Sequence, residues 1–167
     1  MEKIRILFVF LLWGLLWSCK DSEAVPVVTV RQQDVVKAIS MAELKKSLEE
    51  KGFQTFDYVD EKTKDTILMQ QYFIAFLKSG PNRSQSKAEA DSLQALHLAH
   101  LGRMYEEGFA DISGPFGDDG DIRGITIYNV PTQKMADSLA NMDPMAKSGR
   151  LVIEIHPWWA AKGFMLR

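Results

Sequence analysis

From residue 67 onward, apolar residues recur in an order that few folds accommodate. The pattern predicts strand, helix, strand, strand, helix and strand in succession. The predicted strands cover 66–78, 109–113, 122–130 and 151–155, and the predicted helices cover 87–107 and 131–142. This order is typical of the ferredoxin-like split βαβ arrangement, an α+β fold in which an antiparallel sheet carries both helices on one face.

Local signals mark the ends of these segments. Residues 86–89 read Ser-Lys-Ala-Glu, a capping box that begins the first long helix. Glycine and proline at 79–82 interrupt the first strand, and Gly114-Pro115 is expected to end the second. Asp143-Pro144 begins a short extra turn that ends at Gly149.

An extension at 39–66 precedes the domain at 67–167. A second capping box predicts a short amphipathic helix over 41–51. Residues 53–59 alternate as a strand does, and the polar stretch 60–65 indicates a hairpin turn into the first strand of the domain.

The sheet face that carries no helices is also apolar, so it needs a cover. Either a second copy of the chain or the helix over 41–51 could supply it. The first alternative predicts a homodimer.

The N-terminus has the three parts of a signal peptide. Lys3 and Arg5 precede an apolar run over 6–17, and a small residue then stands before Cys19. The run is shorter than the ~20 residues that span a bilayer. Leu-Trp-Ser-Cys at 16–19 resembles the lipobox of bacterial lipoproteins, in which the chain is cut before the cysteine and its thiol then carries diacylglycerol.

This resemblance implies a lipoprotein signal peptide at 1–18 and a lipid anchor on Cys19. Residues 19–38 show little periodicity and are expected to form a tether. The chain would then reside in the bacterial cell envelope, attached to a membrane. The alternative is an ordinary secretory signal with an incidental cysteine.

Composition narrows the chemistry. The formal net charge of −2 gives no electrostatic footprint for nucleic acid. Cys19 is the single cysteine of the chain, so its acylation would exclude disulfides, cysteine–metal sites and cysteine nucleophiles. Three histidines, the acids, the bases and the hydroxyls remain. No phosphate-cradling glycine loop and no metal set is present, so no cofactor is expected.

Six short pieces between residues 71 and 160 carry a family resemblance. They are Gly80-Pro81-Asn82, His97 to Leu101, Glu107-Gly108, Gly114-Pro115-Phe116, Asp143-Pro144 with Gly149, and His156-Pro157-Trp158. In this order they resemble the YCII-related family of dimeric α/β-barrel proteins. The resemblance implies enzymes that use a His–Asp pair, and one relative eliminates chloride from a chlorinated aromatic intermediate. By position the family histidine falls on His97 and the acid on Asp143.

On a helical wheel His97 lies inside an apolar arc with Leu98, Leu101, Met104 and Tyr105. It is either a core histidine or part of a cleft. Burial would disfavour the charged imidazolium, and a carboxylate beside the ring would oppose this effect, so the pair could serve as a general base.

Asp143 also has an ordinary structural reading, because Asp-Pro with a later glycine fits the N-cap, first residue and end of a one-turn helix. The two roles can coexist.

Three more residues are candidates for substrate binding. Arg83 follows the first strand and could hold a substrate carboxylate bidentately, or be a plain surface arginine. His100 lies one turn from His97, so that with His156 or Asp143 a zinc site is conceivable, although no metal is expected. Trp158 is a packing or dimer residue, or an aromatic wall of a pocket.

Two functions follow from these features. The first is a cofactor-free lyase or isomerase that acts on a small organic acid through His97 and Asp143, in the cell envelope. The second is a non-catalytic envelope module that binds a small molecule or only dimerises.

Overall fold

The computed structural model describes residues 40–166, which belong to one compact unit. The signal peptide at 1–18, Cys19 and the tether at 19–38 lie outside this range. The helices are α1 (Met41–Glu50), α2 (Lys87–Glu106), α3 (Gln133–Ala140) and α4 (Pro144–Lys147). The strands are β1 (Thr55–Val59), β2 (Thr66–Ser79), β3 (Ala110–Pro115), β4 (Ile122–Tyr128) and β5 (Leu151–Ala161). Within residues 40–166, none of these helices is long and apolar enough to cross a bilayer.

All five strands form one antiparallel sheet with β2 in its interior. β5 pairs with one edge of β2, and β4 pairs with the other edge and with β3. The order β5-β2-β4-β3 is the ferredoxin-like order of a split βαβ fold. The predicted α+β class and antiparallel sheet are confirmed.

The extension joins the same sheet. β1 pairs with the first residues of β2, along the edge that β4 occupies farther on. Lys45 of α1 pairs with Asp57, and Thr55 of β1 donates a hydrogen bond to Glu49 at 2.8 Å. Thr55 lies opposite Gln70 in the sheet, so α1 packs on the face to which Gln70 points. Helices α2, α3 and α4 share the other face, so α1 lies on the sheet face that was expected to need a cover from this helix or from a second copy.

Burial changes face along β2. Leu68, Gln70 and Tyr72 are buried on the α1 side, whereas Phe73 and Ala75 are buried on the side of α2, α3 and α4. The core on this second side contains buried residues from every layer, namely Leu77, Met104, Ala110, Tyr128, Val130, Ala136, Ala140, Met145 and Leu151. The two halves of one strand therefore support two different layers.

The buried stripe of α2 differs from the predicted one. His97, His100 and Met104 are buried, whereas Leu98 and Tyr105 are 58% and 68% exposed. The buried stripe is therefore centred closer to His100 than predicted, and it covers a narrower arc of the helix than the apolar residues do. His100 takes a core position that the wheel assigned to aliphatic residues.

The predicted ends of β3, β5 and α3 were wrong. β3 continues through Gly114 and Pro115, and β5 continues through Pro157 to Ala161. Both strands pair on one side only, and a proline without an N–H is tolerated on such an edge strand. Helix α3 ends at Ala140, which leaves Met142 exposed beyond it.

Two loops dock closely at the end of β2. The Gly80 N–H donates to the Arg150 carbonyl at 2.9 Å, and the Asn82 N–H donates to the Gly149 carbonyl at 3.1 Å. The Asn82 side-chain amide donates to the Ser148 carbonyl at 2.8 Å. A Cβ on Gly80 would lie 2.2 Å from the Gly149 carbonyl oxygen, so only glycine fits there.

Gly80→Ala should therefore destabilise the domain by about 1–3 kcal/mol, as overpacking does. Hydrogen bonds hold the backbones of both loops in place, so neither can move away from the added methyl group. Gly102→Ala is the matched control. Gly102 is an exposed residue of α2, and a Cβ added to it would have no atom within 4 Å, so alanine there should stabilise the protein by about 1 kcal/mol. Urea unfolding of both variants measures the difference. Equal stability of the two variants would contradict the close approach.

Candidate active site

A buried His–Asp pair joins α2 to α4. Asp143 is the N-cap of α4, and its Oδ1 accepts a hydrogen bond from the Met145 N–H at 2.8 Å. Its Oδ2 lies 2.5 Å from Nδ1 of His97. Asp143 is 2% exposed and His97 is 9% exposed. The predicted pairing of these two residues is confirmed, and so is the capping role of Asp143.

The hydrogen bonds determine which nitrogen of His97 is available. An ionised carboxylate only accepts hydrogen bonds, so Nδ1 of His97 carries the proton and donates it to Asp143. Nε2 is then the nitrogen with a free lone pair in the neutral ring. Burial and, to a smaller extent, the charge of Asp143 raise the pKa of Tyr128.

The His97 ring lines a cavity of about 540 Å³ between α2 and the sheet. Its walls come from α2, the loop after β2, the facing parts of β3 and β4, and the start of β5. The polar lining residues are Arg83, Asp91, Gln94, His97, Ser113, Arg123 and Arg150, and the apolar ones include Leu77, Leu98, Leu101, Ile125, Met145 and Leu151. The exposed Leu98 thus contributes to a cavity wall and not to the core.

Arg83, the predicted substrate-binding arginine, is one of the lining residues. Arg123 and Arg150 also line the cavity, and the sequence reasoning missed both. A signal for them existed. In the predicted antiparallel order the strands that begin near 122 and 151 start beside the end of the first strand, which is where Arg83 follows.

His100 is buried beneath this region and is not among the residues that line the cavity. The Arg103 guanidinium donates to its Nδ1 at 3.0 Å, so Nε2 carries the proton of the neutral ring. That Nε2 has no hydrogen-bond partner among the described residues. Burial lowers the pKa of His100; Asp143 opposes this shift, whereas Arg103, His97 and Lys147 add to it.

Trp158 lies away from the His97 cavity. It stands opposite Tyr72 in the sheet, on the face that α1 shares, and lines a second cavity of about 580 Å³ there. His156 is on that face too, where its Nε2 lies 2.7 Å from Glu154. His156 therefore does not join His97 and His100 in a ligand set. In the part of the chain from 40 to 166, no three His, Cys, Asp or Glu side chains cluster as metal ligands.

Comparison with models of known protein families gives no match to this chain, and neither does comparison with curated proteins. Among solved structures, the chain is similar to 5-chloro-2-hydroxyhydroquinone dehydrochlorinase from Burkholderia phenoliruptrix, determined in complex with 2,5-dihydroxybenzoquinone. The identity is 23%, the match covers 52% of this chain and 92% of that chain, and the TM-score is 0.39. A likeness of this level determines neither the fold nor the function of the present chain.

The lowered pKa of His100 makes stability depend on pH. Below its ordinary pKa of about 6.5 His100 binds a proton in the unfolded chain more readily than in the folded one. The free energy of unfolding should therefore fall as the pH falls through that value toward the lower pKa of the folded state. In His100→Gln this part of the pH dependence should disappear, because glutamine does not titrate.

Urea unfolding between about pH 7.5 and pH 5.5, a range that brackets the ordinary histidine pKa, measures the effect. The exposed His156, changed to Gln, is the matched control and should keep the pH slope that His100 causes. An unchanged slope in His100→Gln would show that His100 is not the residue responsible.

Proposed function

We propose that this chain is a cofactor-free acid–base enzyme, of lyase or isomerase type, that acts on a small organic acid. One observation carries the proposal. The His97 ring is held by a buried carboxylate on Nδ1 and lines a cavity whose lining is rich in arginine. Histidine titrates near neutral pH, which suits it to take up and return a proton.

In the proposed reaction Nε2 of His97 takes a proton from a carbon next to a carbonyl or carboxylate group. The electron pair of that C–H bond becomes an enolate or a new C=C bond. In an isomerisation the imidazolium returns the proton to another carbon. In an elimination a leaving group departs with its own bonding pair from the neighbouring carbon.

Asp143 is a positioning residue in this scheme. Its Oδ2 holds Nδ1–H, which fixes the tautomer that presents the Nε2 lone pair, and its charge stabilises the imidazolium that forms. The backbone N–H of Met145 holds the other carboxylate oxygen in place. Arg83, exposed on the lining, binds a carboxylate of the substrate.

We further propose that residues 67–167 belong to the YCII-related family, and that Cys19 is acylated after removal of 1–18. The domain would then be held at the membrane of a bacterial envelope. The several acyl chains of a bacterial lipoprotein anchor stably, whereas one chain binds only marginally.

The same chain is proposed to form a homodimer. On the α1 side of the sheet, Ile112, Val152 and Trp158 stay exposed, whereas α1 lies beside β1. A second copy seated there would bury a face that α1 leaves open.

A non-catalytic binding module is the second candidate. The observation that favours it is the hydrogen bond from the Met145 N–H to Asp143, since this cap stabilises α4 without any reaction. The cavity would then bind a small molecule and release it unchanged.

Turnover distinguishes the two candidates. Small keto, hydroxy and halogenated acids are incubated with the purified protein, and conversion is followed by NMR. His97→Gln should lower kcat by about 10²–10⁴-fold, the usual contribution of a general base. Asp143→Asn should lower kcat as well, because an amide does not favour the same tautomer, but it should keep the cap and the fold, since asparagine is a good N-cap.

His156 is an exposed residue on the other sheet face, so His156→Gln serves as the control and should leave kcat unchanged. Thermal unfolding of each variant reports whether it is folded. Unchanged turnover in a folded His97→Gln variant would refute the catalytic role. Binding of acids without any conversion would favour the second candidate.

The lipid anchor and the homodimer can be tested with the wild-type protein and one variant, Cys19→Ser. Wild-type protein should fractionate with membranes, and Cys19→Ser should be soluble or keep an uncut leader. Mass spectrometry of the wild type should find acyl chains on Cys19. The soluble domain released from the anchor should have the mass of a homodimer in light scattering.

A processed but unlipidated Cys19 would refute the anchor. A monomer would refute the dimer, and would mean that the open sheet face needs no second copy.

A further inference from the structure

Arginines dominate the charge of the His97 cavity. Arg83, Arg123 and Arg150 line it, and among the described residues Asp91 is the one acid on the same lining. The Asp91 side chain is exposed and lies beside Lys87 of the same helix, so it offsets at most one of the three guanidinium charges. A guanidinium stays protonated at every relevant pH, so the lining carries an excess of positive charge.

The arginines stand on two sides of the cavity. Ile122 of β4 and Val152 of β5 pair with Lys78 from opposite edges of β2, so these neighbours are roughly 10 Å apart, two strand spacings. Arg123 follows Ile122 at a break in the β2–β4 register, and Arg150 precedes β5. A bulge of this kind re-aims a side chain out of the regular alternation.

Arg83 belongs to the side of Arg150. The loop that carries Arg83 is hydrogen-bonded through Gly80 to the Arg150 backbone. The Arg150 guanidinium donates to Oε1 of Gln85, two residues beyond Arg83, at 3.0 Å. One side of the cavity therefore has two arginines and the other side has Arg123.

These side chains are held in place without being neutralised. Gln85 is an uncharged partner of Arg150, and Arg123 donates to the Gly120 carbonyl at 3.1 Å. The acid near Arg123 is Asp119, at 3.5 Å, and its side chain is fully exposed to water. An exposed pair of this kind contributes little, so Arg123 keeps its attraction for an anion.

We infer that the cavity selects organic acids with two carboxylates, one bound by Arg123 and the other by Arg83 and Arg150. The inference rests on the proposed function of the same cavity and narrows its substrate class. Two separated anchors fit two separated carboxylates better than one compact phosphate. With both ends held, the carbon skeleton between them is the part of the ligand left to meet His97.

Titration calorimetry on the purified full-length protein tests this with two matched probes. Succinate has two carboxylates, and butyrate has the same four carbons with one. Succinate should bind at least about tenfold more tightly, as expected for one additional charge-assisted, bidentate contact. Arg123→Gln and Arg150→Gln should each reduce succinate affinity by about tenfold and leave butyrate affinity less affected.

Lys134→Gln is the control, because Lys134 is an exposed cation of α3 that does not line the cavity. It should leave both affinities unchanged. If thermal unfolding shows that Arg150→Gln is not folded, Arg150→Lys replaces it in the test, because lysine keeps the positive charge without the planar fork.

Equal affinity for succinate and butyrate would overturn the inference. Inorganic phosphate binding as tightly as succinate would overturn it too, because it would show a site for one compact dianion. Catalysis is a separate outcome, since calorimetry needs no turnover. If the protein prefers succinate but converts no acid, the selectivity for two carboxylates stands and the proposed reaction is refuted. If it converts only monoacids, and does so through His97, the proposed reaction stands and the selectivity is refuted.

Discussion

Hydrogen bonding along both edges of β2 is the constraint on which the rest of the structure depends. β5 follows one edge from Met69 to Ser79, and β1 and β4 divide the other edge between them. A strand paired in this way has no edge exposed to water, and its apolar side chains need a cover on at least one face. β2 meets this demand in two halves, with α1 over the first and α2, α3 and α4 over the second. The described part of the extension, 40–66, is thus continuous with the domain.

The end of β2 is also where the site assembles. Because the sheet is antiparallel, β4 and β5 begin beside the end of β2, and the contact of Gly80 with Gly149 locks the two neighbouring loops together. α4 then sets Asp143 against His97 across the core. A hydrogen bond to a charged group, such as this one, typically contributes about 1.5–3 kcal/mol. The pair therefore ties α2 to α4 as well as orienting the imidazole.

Much of this can be read from the sequence, because local signals do not depend on distant residues. The capping boxes at Ser40 and Ser86 place the starts of α1 and α2, and Asp143-Pro144 places α4. The family resemblance pairs His97 with Asp143, and their contact is observed. The sequence pattern separates Trp158 from β5 because Pro157 normally ends a strand, although an edge strand tolerates proline.

The sequence by itself determined the order of the elements and the starts of α1, α2 and α4, since these depend on periodicity and caps, and its resemblance to a family pointed to the buried His–Asp pair. Only the tertiary structure decided which side of the sheet each residue serves. It placed Trp158 and His156 opposite to His97, moved His100 into the core, and brought Arg123 and Arg150 to the cavity of Arg83. Strand pairing joins residues far apart in the chain, and no local pattern records which strand ends will meet.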